Sequence, residues 1–353
     1  MAGGIGSRFW PMSTSHKPKQ FLDVLGIGKT LLQLTYERIR KFCPNENIYI
    51  VTSDEYGNIV QDQLPLLPKS NILTEPGRKN TAPCVAYSCY KIMELNEDAR
   101  ILIAPSDHLI LKEEEFVKRI NIGFEACSED ILITLGIKTT RPDTGYGYIE
   151  ALNDTLKGCT DLKKVNLFKE KPQLELAQKY HQQENYYWNS GMFIWSVKSV
   201  IKAFEQSSPV MASLFEARKA ELNGPNEAAV IKDIYQQVES ISVDYAIMEK
   251  ATNVYVQPCD IGWTDLGTWG SLKNTIAPKE DENAVLGAQI KTSDSSGNMI
   301  CNETDQLVVV HGLKDFIVVN TSKSLLICPL GKEQEIKTIV SEIKADKTLS
   351  SLI

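Results

Sequence analysis

Short apolar runs alternate with helix-period segments along the first half of the chain. Between residues 38 and 137 the order is "IYIVTS", "APCVAYSCYKIMEL", "ILIAPSDH", "EEFVKRINIGFEAC" and "ILITLGI". Near-continuous apolar strands separated by amphipathic helices are typical of a parallel sheet that is covered on both faces. The pattern therefore predicts an α/β domain with a doubly wound, mostly parallel sheet.

The pattern changes towards the C-terminus. The polar stretch "APKEDENAVLG" has the composition of a linker. After it, "LVVVHGL", "FIVVN" and "SLLICPLG" recur at spacings of about 8 to 12 residues, which favours a small all-β unit. A helical segment, "EIKTIVSEIKADK", closes the chain. We therefore expect a large domain over residues 1–278 and a small β-rich domain over residues 279–353.

The glycine-rich opening, "MAGGIGSR", is a candidate phosphate site. Gly3, Gly4 and Gly6 allow backbone amides to converge on one point, and Arg8 and Lys19 add positive charge beside it. A plain tight turn explains the same glycines, so the segment does not decide the question alone. The similar "LGIGKT" is not a Walker loop, because that loop needs a glycine where Asp23 stands. We interpret it as a turn that leads into a helix.

Two aspartates occupy loops of the kind in which α/β sheets bind ligands. Asp107 directly follows an apolar strand, and Asp265 lies in a glycine-bounded loop. Two such carboxylates suit Mg²⁺, which completes its shell with phosphate oxygens and water. The alternative for each is a turn or capping role. The four histidines, among them His108, do not have the spacing of a zinc site.

A second set of candidate binding residues lies near the middle of the chain. "FKEKP" places Glu170 beside Lys171, and "WNSGMF" places Asn189 before a predicted strand. A carboxylate and an amide can share sugar hydroxyls, while a lysine can hold a phosphate. A solvated charge cluster and an amide-stabilised turn remain the simpler alternatives.

Composition excludes several classes of function. A formal net charge of -7 argues against nucleic acid or an anionic membrane as a partner. The eight cysteines contain no Cys-x-x-Cys pair, which indicates reduced thiols in a cytoplasmic protein. The apolar runs are too short to span a bilayer, and no basic leader precedes an apolar segment at the N-terminus.

Taken together, the motifs resemble the sugar-1-phosphate nucleotidyltransferases. "MAGGIGSRFWPMSTSHKPKQF" is similar to their signature loop, and its "FWP" and "KPKQF" pieces are similar to the mannose-1-phosphate guanylyltransferase branch. Seven further motifs follow in the order of that branch: "EPGRKNTAP", "APSDHLI", "RPDTGYGYIE", "FKEKP", "WNSGMFIW", "SVDYAIMEK" and "GWTDLGTW". The resemblance implies a Rossmann-like transferase domain followed by a left-handed β-helix-like domain. It indicates the short, single-function bacterial type, which lacks a cupin isomerase domain.

The resemblance also implies an activity. It is the transfer of GMP from GTP to mannose 1-phosphate, giving GDP-mannose and pyrophosphate, with Mg²⁺ assisting in-line attack of the sugar phosphate on the α-phosphate. The partners would be GTP and mannose 1-phosphate, and both a monomer and a homodimer remain open. Two alternatives remain as well: another pair of sugar phosphate and nucleotide, or a non-catalytic regulatory homologue that binds a sugar nucleotide.

Roles carry over by motif. The nucleotide pocket would be lined by Ala2, Gly3, Gly4, Gly6, Asn80 and Thr81. Arg8 and Lys19 would bind the triphosphate, and Lys171 would bind the sugar phosphate. The hexose would be bound by Gly147, Glu170 and Asn189. Mg²⁺ would be held by Asp107 and Asp265. The resemblance gives no role to Asp244, although its motif is diagnostic of the branch.

The chain departs from the branch at three places. Lys79 stands where arginine is usual before Asn-Thr-Ala-Pro, which keeps the charge but loses the bidentate fork. Asp143 replaces the commoner glutamate. Relatives place an apolar strand before the Ala-Gly-Gly turn, where Met1 stands here. We therefore expect that the sequence is truncated at an internal methionine.

Overall fold

The chain folds as two compact units, each built from separate segments. The computed structural model describes residues 1–4, 6–127 and 130–350. The first unit comprises Met1–Gly3, Ile39–Pro105 and Ile110–Trp263, and the second comprises Gly4–Arg38, Ser106–Leu109 and Thr264–Ile353. Because these units are not continuous along the chain, they do not test the predicted boundary after residue 278, which stays a prediction.

Helices and strands are distributed along the whole described chain. The α-helices are α1 (Leu31–Ile39), α2 (Gly57–Gln63), α3 (Thr81–Met93), α4 (Glu113–Ala126), α5 (Leu174–His181), α6 (Val197–Ser207), α7 (Pro209–Glu216), α8 (Glu227–Gln237), α9 (Trp269–Ile276) and α10 (Ile336–Ala345). The strands up to residue 264 are β1 (Ile50–Ser53), β2 (Ile72–Glu75), β3 (Arg100–Ile103), β4 (Leu109–Ile110), β5 (Leu132–Lys138), β6 (Tyr148–Leu156), β7 (Cys159–Lys169), β8 (Tyr186–Ser196), β9 (Val254–Cys259) and β10 (Trp263–Thr264). The later strands are β11 (Ala284–Gly287), β12 (Ile290–Ser293), β13 (Met299–Asn302), β14 (Val308–His311), β15 (Phe316–Asn320) and β16 (Leu325–Pro329).

The first unit is an α/β domain, as the alternation predicts. Its main sheet has the strand order β3-β8-β5-β9-β7-β6, and β1 pairs with β2 in a separate parallel sheet. Strand β5 is buried along nearly its whole length, as expected for a central strand with both faces covered. Strands β3, β5, β9 and β6 share one direction, whereas β8 and β7 run against them.

The N-terminal residues of the first unit form hydrogen bonds near the main sheet and the β1–β2 sheet. The Met1 amine donates to the carbonyl of Ala104 at 3.0 Å, just after β3. The Ala2 amide donates to the carbonyl of Val51 in β1 at 2.7 Å, and the Thr52 hydroxyl donates back to the Ala2 carbonyl at 2.9 Å. These bonds fix the start of the glycine-rich turn against β1 and the end of β3.

The C-terminal part of the second unit has the layered arrangement of a β-helix. Strands β11, β13 and β15 pair in parallel, β16 closes that sheet in antiparallel fashion, and β12 pairs in parallel with β14. Buried and half-buried asparagines at the strand ends form hydrogen bonds between successive layers. Asn298 donates to Asn283, and Asn320 donates to Asn302, at 2.9 and 3.0 Å. These side chains satisfy buried polar groups where strand pairing ends.

The signature loop packs into the core of the second unit. Phe9 is fully buried and its ring lies 4.9 Å from that of Trp269, whose indole N–H donates to the carbonyl of Trp10. The same core includes the inner face of the β-rich sheet, with Met299 and Ile317. None of the helices in the described ranges combines the length and apolar character needed to cross a membrane.

Candidate active site

Lys19 is the centre of the charged cluster in the second unit. Its ammonium lies 2.9 Å from a carboxylate oxygen of Asp107 and donates to the carbonyls of Asp265 and Leu266 at 2.7 and 3.1 Å. The side chain is only 4% exposed. Although burial opposes ionisation, the charge of Lys19 holds the pKa of Asp107 below its usual range. The structure therefore brings together three residues that the sequence singled out separately.

His108 lies beside both metal candidates. Its Nε2 is 4.0 Å from Asp107, and the nearby charges of Asp107 and Asp265 partly offset the burial that lowers its pKa. Asp265 also accepts the Gly267 amide at 3.1 Å, which fixes the loop that carries it. His108 therefore lies within the same charged cluster as Asp107.

The donor set of this cluster fits Mg²⁺. Within the described ranges, no group of three or more His, Cys, Asp and Glu side chains is arranged to hold a metal ion. Magnesium does not need such a cage, because it is usually bound by one or two carboxylates together with substrate phosphates and water. Asp107 and Asp265 supply that number of carboxylates.

The glycine loop of the second unit is shaped by close backbone contacts. Gly6 has a φ of 66°, and a Cβ there would lie 2.5 Å from the Cβ of Lys19, so a side chain is excluded. The carbonyl of Gly4 accepts the side-chain amide of Gln20 at 3.0 Å. Arg8 is exposed, and its Nε donates to Gln334 at 2.8 Å. A residue beyond the strands of the β-rich region thus orients a predicted triphosphate-binding arginine.

The predicted sugar-binding residues come together in the first unit. Lys171 forms an ion pair with the buried carboxylate of Glu170. Although burial opposes its charge, Glu170 and Asp244 together with Tyr245 raise the pKa of Lys171. The backbone amide of Asn189 donates to the carbonyl of Gly147 at 2.8 Å. A Cβ at Gly147 would overlap a carboxylate oxygen of Glu170. Glycine is therefore required for these groups to approach one another.

Asn80 and Thr81 lie where α3 begins. Asn80 has a φ of 68°, and its side-chain oxygen accepts the Thr81 amide at 2.9 Å. The Thr81 hydroxyl accepts the Val243 amide at 2.9 Å. These two predicted nucleotide-pocket residues therefore organise the helix start and bind the segment before Asp244.

Glu75 is a buried acid beside the glycine-rich segment, and sequence reasoning missed it. It ends β2, accepts the Tyr235 hydroxyl at 2.6 Å, and its other oxygen lies 3.7 Å from where a Cβ of Gly3 would be. Burial raises its pKa to about 7. Its position as the last residue of a short strand was the available signal.

Two of the departures noted in the sequence, Lys79 and Asp143, make local hydrogen bonds. Lys79 donates to the carbonyl of Val238 at 3.1 Å, while the neighbouring Arg78 donates to the Tyr56 hydroxyl at 2.7 Å. Asp143 accepts the Gly145 amide at 2.8 Å. The turn interpretation of "LGIGKT" is confirmed, since Asp23 accepts the amides of residues 27 and 28.

The chain matches two protein families along its length. Residues 1–282 match the family described as Nucleotidyl transferase, and residues 292–343 match the MannoseP isomerase/GMP-like beta-helix domain. The first match covers most of the chain, so the chain belongs to the nucleotidyl transferase family. It is accordingly a nucleotidyltransferase enzyme.

The relatives are more specific. The chain is 34% identical over 354 residues to a mannose-1-phosphate guanylyltransferase of Salmonella muenchen, spanning 98% of this chain and 73% of that protein. It is 33% identical to one of Klebsiella pneumoniae, with coverage of 98% and 74%. A Thermus thermophilus structure, described as mannose-1-phosphate geranyltransferase, superposes with a TM-score of 0.87 at 28% identity, covering 98% of both chains. The predicted branch of the family is thereby confirmed.

Proposed function

We propose that the chain transfers GMP from GTP to mannose 1-phosphate, releasing pyrophosphate. The observation that carries the proposal is the Lys19 cluster, in which one buried ammonium holds Asp107 and the backbone of the Asp265 loop. Such a cluster suits two phosphate-bearing substrates, because their negative charges must be neutralised together. The named relatives support mannose 1-phosphate and a guanine nucleotide as the pair.

The reaction requires little proton transfer by the protein. A phosphate oxygen of mannose 1-phosphate, already ionised at neutral pH, attacks the α-phosphorus of GTP. The bond from that phosphorus to the oxygen bridging to the β-phosphate breaks, and pyrophosphate leaves with the electron pair. No general base is needed, so catalysis depends on positioning and on charge neutralisation at the α-phosphate.

Each charged group has a role in this scheme. Arg8 and Lys19 would neutralise the triphosphate, and Lys171 would hold the sugar phosphate, with Gly147, Glu170 and Asn189 on the hexose. Asp107 and Asp265 would hold Mg²⁺, which when bound supplies positive charge to the phosphates. Lys19 would also keep Asp107 ionised. The cytoplasmic location, the absence of nucleic-acid and membrane partners and the homodimer alternative remain predictions.

The test is pyrophosphate release with Mg²⁺ and mannose 1-phosphate, run in parallel with GTP, ATP, UTP and dTTP. Release with GTP alone supports the proposal. Release with UTP or dTTP and glucose 1-phosphate instead would assign a different pair of substrates. Folded protein that binds GDP-mannose but releases no pyrophosphate with any nucleotide would contradict turnover and favour a regulatory homologue.

A further inference from the structure

Asp244 contacts the side chain at the centre of the predicted sugar site. It begins a π-helical segment, Asp244–Met248, and its Oδ1 accepts a hydrogen bond from Nδ2 of Asn189 at 2.8 Å. The other end of the Asn189 amide accepts from the Thr134 hydroxyl at 3.2 Å and from the Gly191 amide at 3.1 Å. These bonds set the orientation of the amide, and Asn189 remains held at its oxygen even without Asp244.

Asp244 also shares the charge environment of Glu170 and Lys171. Burial and the charge of Glu170 raise the pKa of Asp244 to about 6, while Lys171 and the Asn189 amide oppose the increase. Glu170 is itself held in place, because its backbone amide donates to Glu249 at 2.9 Å. Two carboxylates and one ammonium therefore lie close together around Asn189.

The segment that carries Asp244 is anchored from α3. The Ala82 amide donates to the carbonyl of Ile241 at 3.0 Å, and the Val243 amide donates to the Thr81 hydroxyl. Both bonds involve the residues immediately before Asp244. The carboxylate is thus presented by a fixed backbone, as binding residues require.

We propose that Asp244 is a sugar-binding residue, which accepts a hydrogen bond from a hydroxyl of the hexose alongside Glu170. This inference rests on the proposed function, since it specifies how that sugar phosphate is read. A carboxylate accepts hydrogen bonds only, and the hexose is the part of the substrate that offers several hydroxyl donors. Two acidic acceptors also repel the phosphate end of the substrate. Lys171, which forms an ion pair with Glu170, supplies the positive charge in this cluster that could meet the phosphate.

Two substitutions separate binding from simple positioning of Asn189. In Asp244→Asn the side-chain oxygen can still accept from Asn189, whereas an NH2 group, which only donates, replaces the second carboxylate oxygen. Asp244→Ala removes both functions. A direct contact predicts that both variants raise KM for mannose 1-phosphate by about tenfold or more, since a hydrogen bond to a charged group is lost. KM for GTP should stay within about twofold. Normal KM for mannose 1-phosphate in Asp244→Asn would overturn the proposal.

Deoxy substrates provide a second measurement that a structural effect would not imitate. We would compare kcat/KM of wild type and Asp244→Ala on mannose 1-phosphate and its 2-, 3-, 4- and 6-deoxy analogues. If Asp244 contacts one hydroxyl, the wild type should have a low kcat/KM for the analogue that lacks this hydroxyl. On that analogue, Asp244→Ala should lower kcat/KM little further, as in a double-mutant cycle. An equal loss on every analogue would contradict a hydroxyl contact.

Asp233→Asn is a suitable control, because Asp233 is an exposed residue of α8 with a side chain that is 60% exposed. It should leave both KM values unchanged. Wild-type protein that fails to use mannose 1-phosphate would overturn the proposed function itself. Wild-type turnover combined with unchanged Asp244 variants would overturn this inference alone.

Discussion

Lys19 and Asp107 form a short ion pair, with 2.9 Å between the lysine Nζ and the carboxylate Oδ2. The lysine is almost completely buried, whereas the side chain of Asp107 is about one-third exposed, at 32%. The same Nζ is bound by two carbonyls of the Asp265 loop. This one ammonium therefore links the strand-end aspartate to the loop that carries the second metal candidate.

Lys19→Met should damage both stability and turnover. Methionine has a similar length but leaves two carbonyls and one carboxylate without their donor, so we expect a loss of about 1–3 kcal/mol in the free energy of unfolding. Turnover should fall by about 100-fold or more, because a placed charge near the reacting phosphates is lost. Chemical denaturation and pyrophosphate release measure the two effects. Lys29→Met, which removes an exposed ion pair with Glu37, is the control and should change neither.

Asp265→Asn should separate the charge of this residue from its loop contacts. Asparagine can still accept the Gly267 amide, so the thermal unfolding temperature should change little. We expect turnover to fall by about 100-fold or more at saturating substrates, since a proposed magnesium ligand loses its negative charge. Initial rates over a Mg²⁺ titration provide the measurement. Near-normal turnover with an unchanged Mg²⁺ requirement would contradict the metal assignment. Asp260→Asn is the matched control, because the side chain of Asp260 is highly exposed.

Gly147→Ala should impair recognition of the sugar phosphate selectively. The added methyl group would overlap Glu170 and lie 3.3 Å from the Cβ of Asn189, so the carboxylate must move. We expect KM for mannose 1-phosphate to rise by about tenfold, corresponding to loss of one charged hydrogen bond. KM for GTP should be unaffected. Gly331→Ala is the control, because a Cβ there has nothing within 4 Å, and equal changes in both variants would contradict the predicted role.

The α/β class could be predicted because strands that are buried on both faces consist almost entirely of apolar residues. Strand β5 is a continuous apolar run and is buried almost throughout. The alternation that indicates parallel strands covers residues 38–137 only, so it gave no information on β7 and β8, which run antiparallel to β9 and β5. Residues 4–38 join the β-rich region through contacts such as Phe9 with Trp269. Such long-range packing has no local pattern.

The candidate site was predictable one residue at a time, but its connections were not. Asp107 could be identified because it follows an apolar strand. The bond from Lys19 to the Asp265 carbonyl joins residues 246 positions apart, and no spacing rule relates them. Asp244 had a recognisable motif but no role, because its contact with Asn189 depends on the folding of a separate segment.

Glu75 should make stability depend on pH near neutrality. Its pKa is raised from 4.5 to about 7 in the folded protein, chiefly by burial, so the folded state binds its proton more tightly than the unfolded state does. The resulting stabilisation is fully present below about pH 4.5 and is lost as pH rises through about 7. We expect the free energy of unfolding of the wild type to fall by about 1–3 kcal/mol relative to Glu75→Gln between about pH 5 and 7.5. Urea denaturation across this range measures the difference, with Glu239→Gln as an exposed control. Parallel pH profiles for wild type and Glu75→Gln would show that Glu75 ionises normally, because a glutamine cannot titrate and only a shifted carboxyl makes the two profiles diverge.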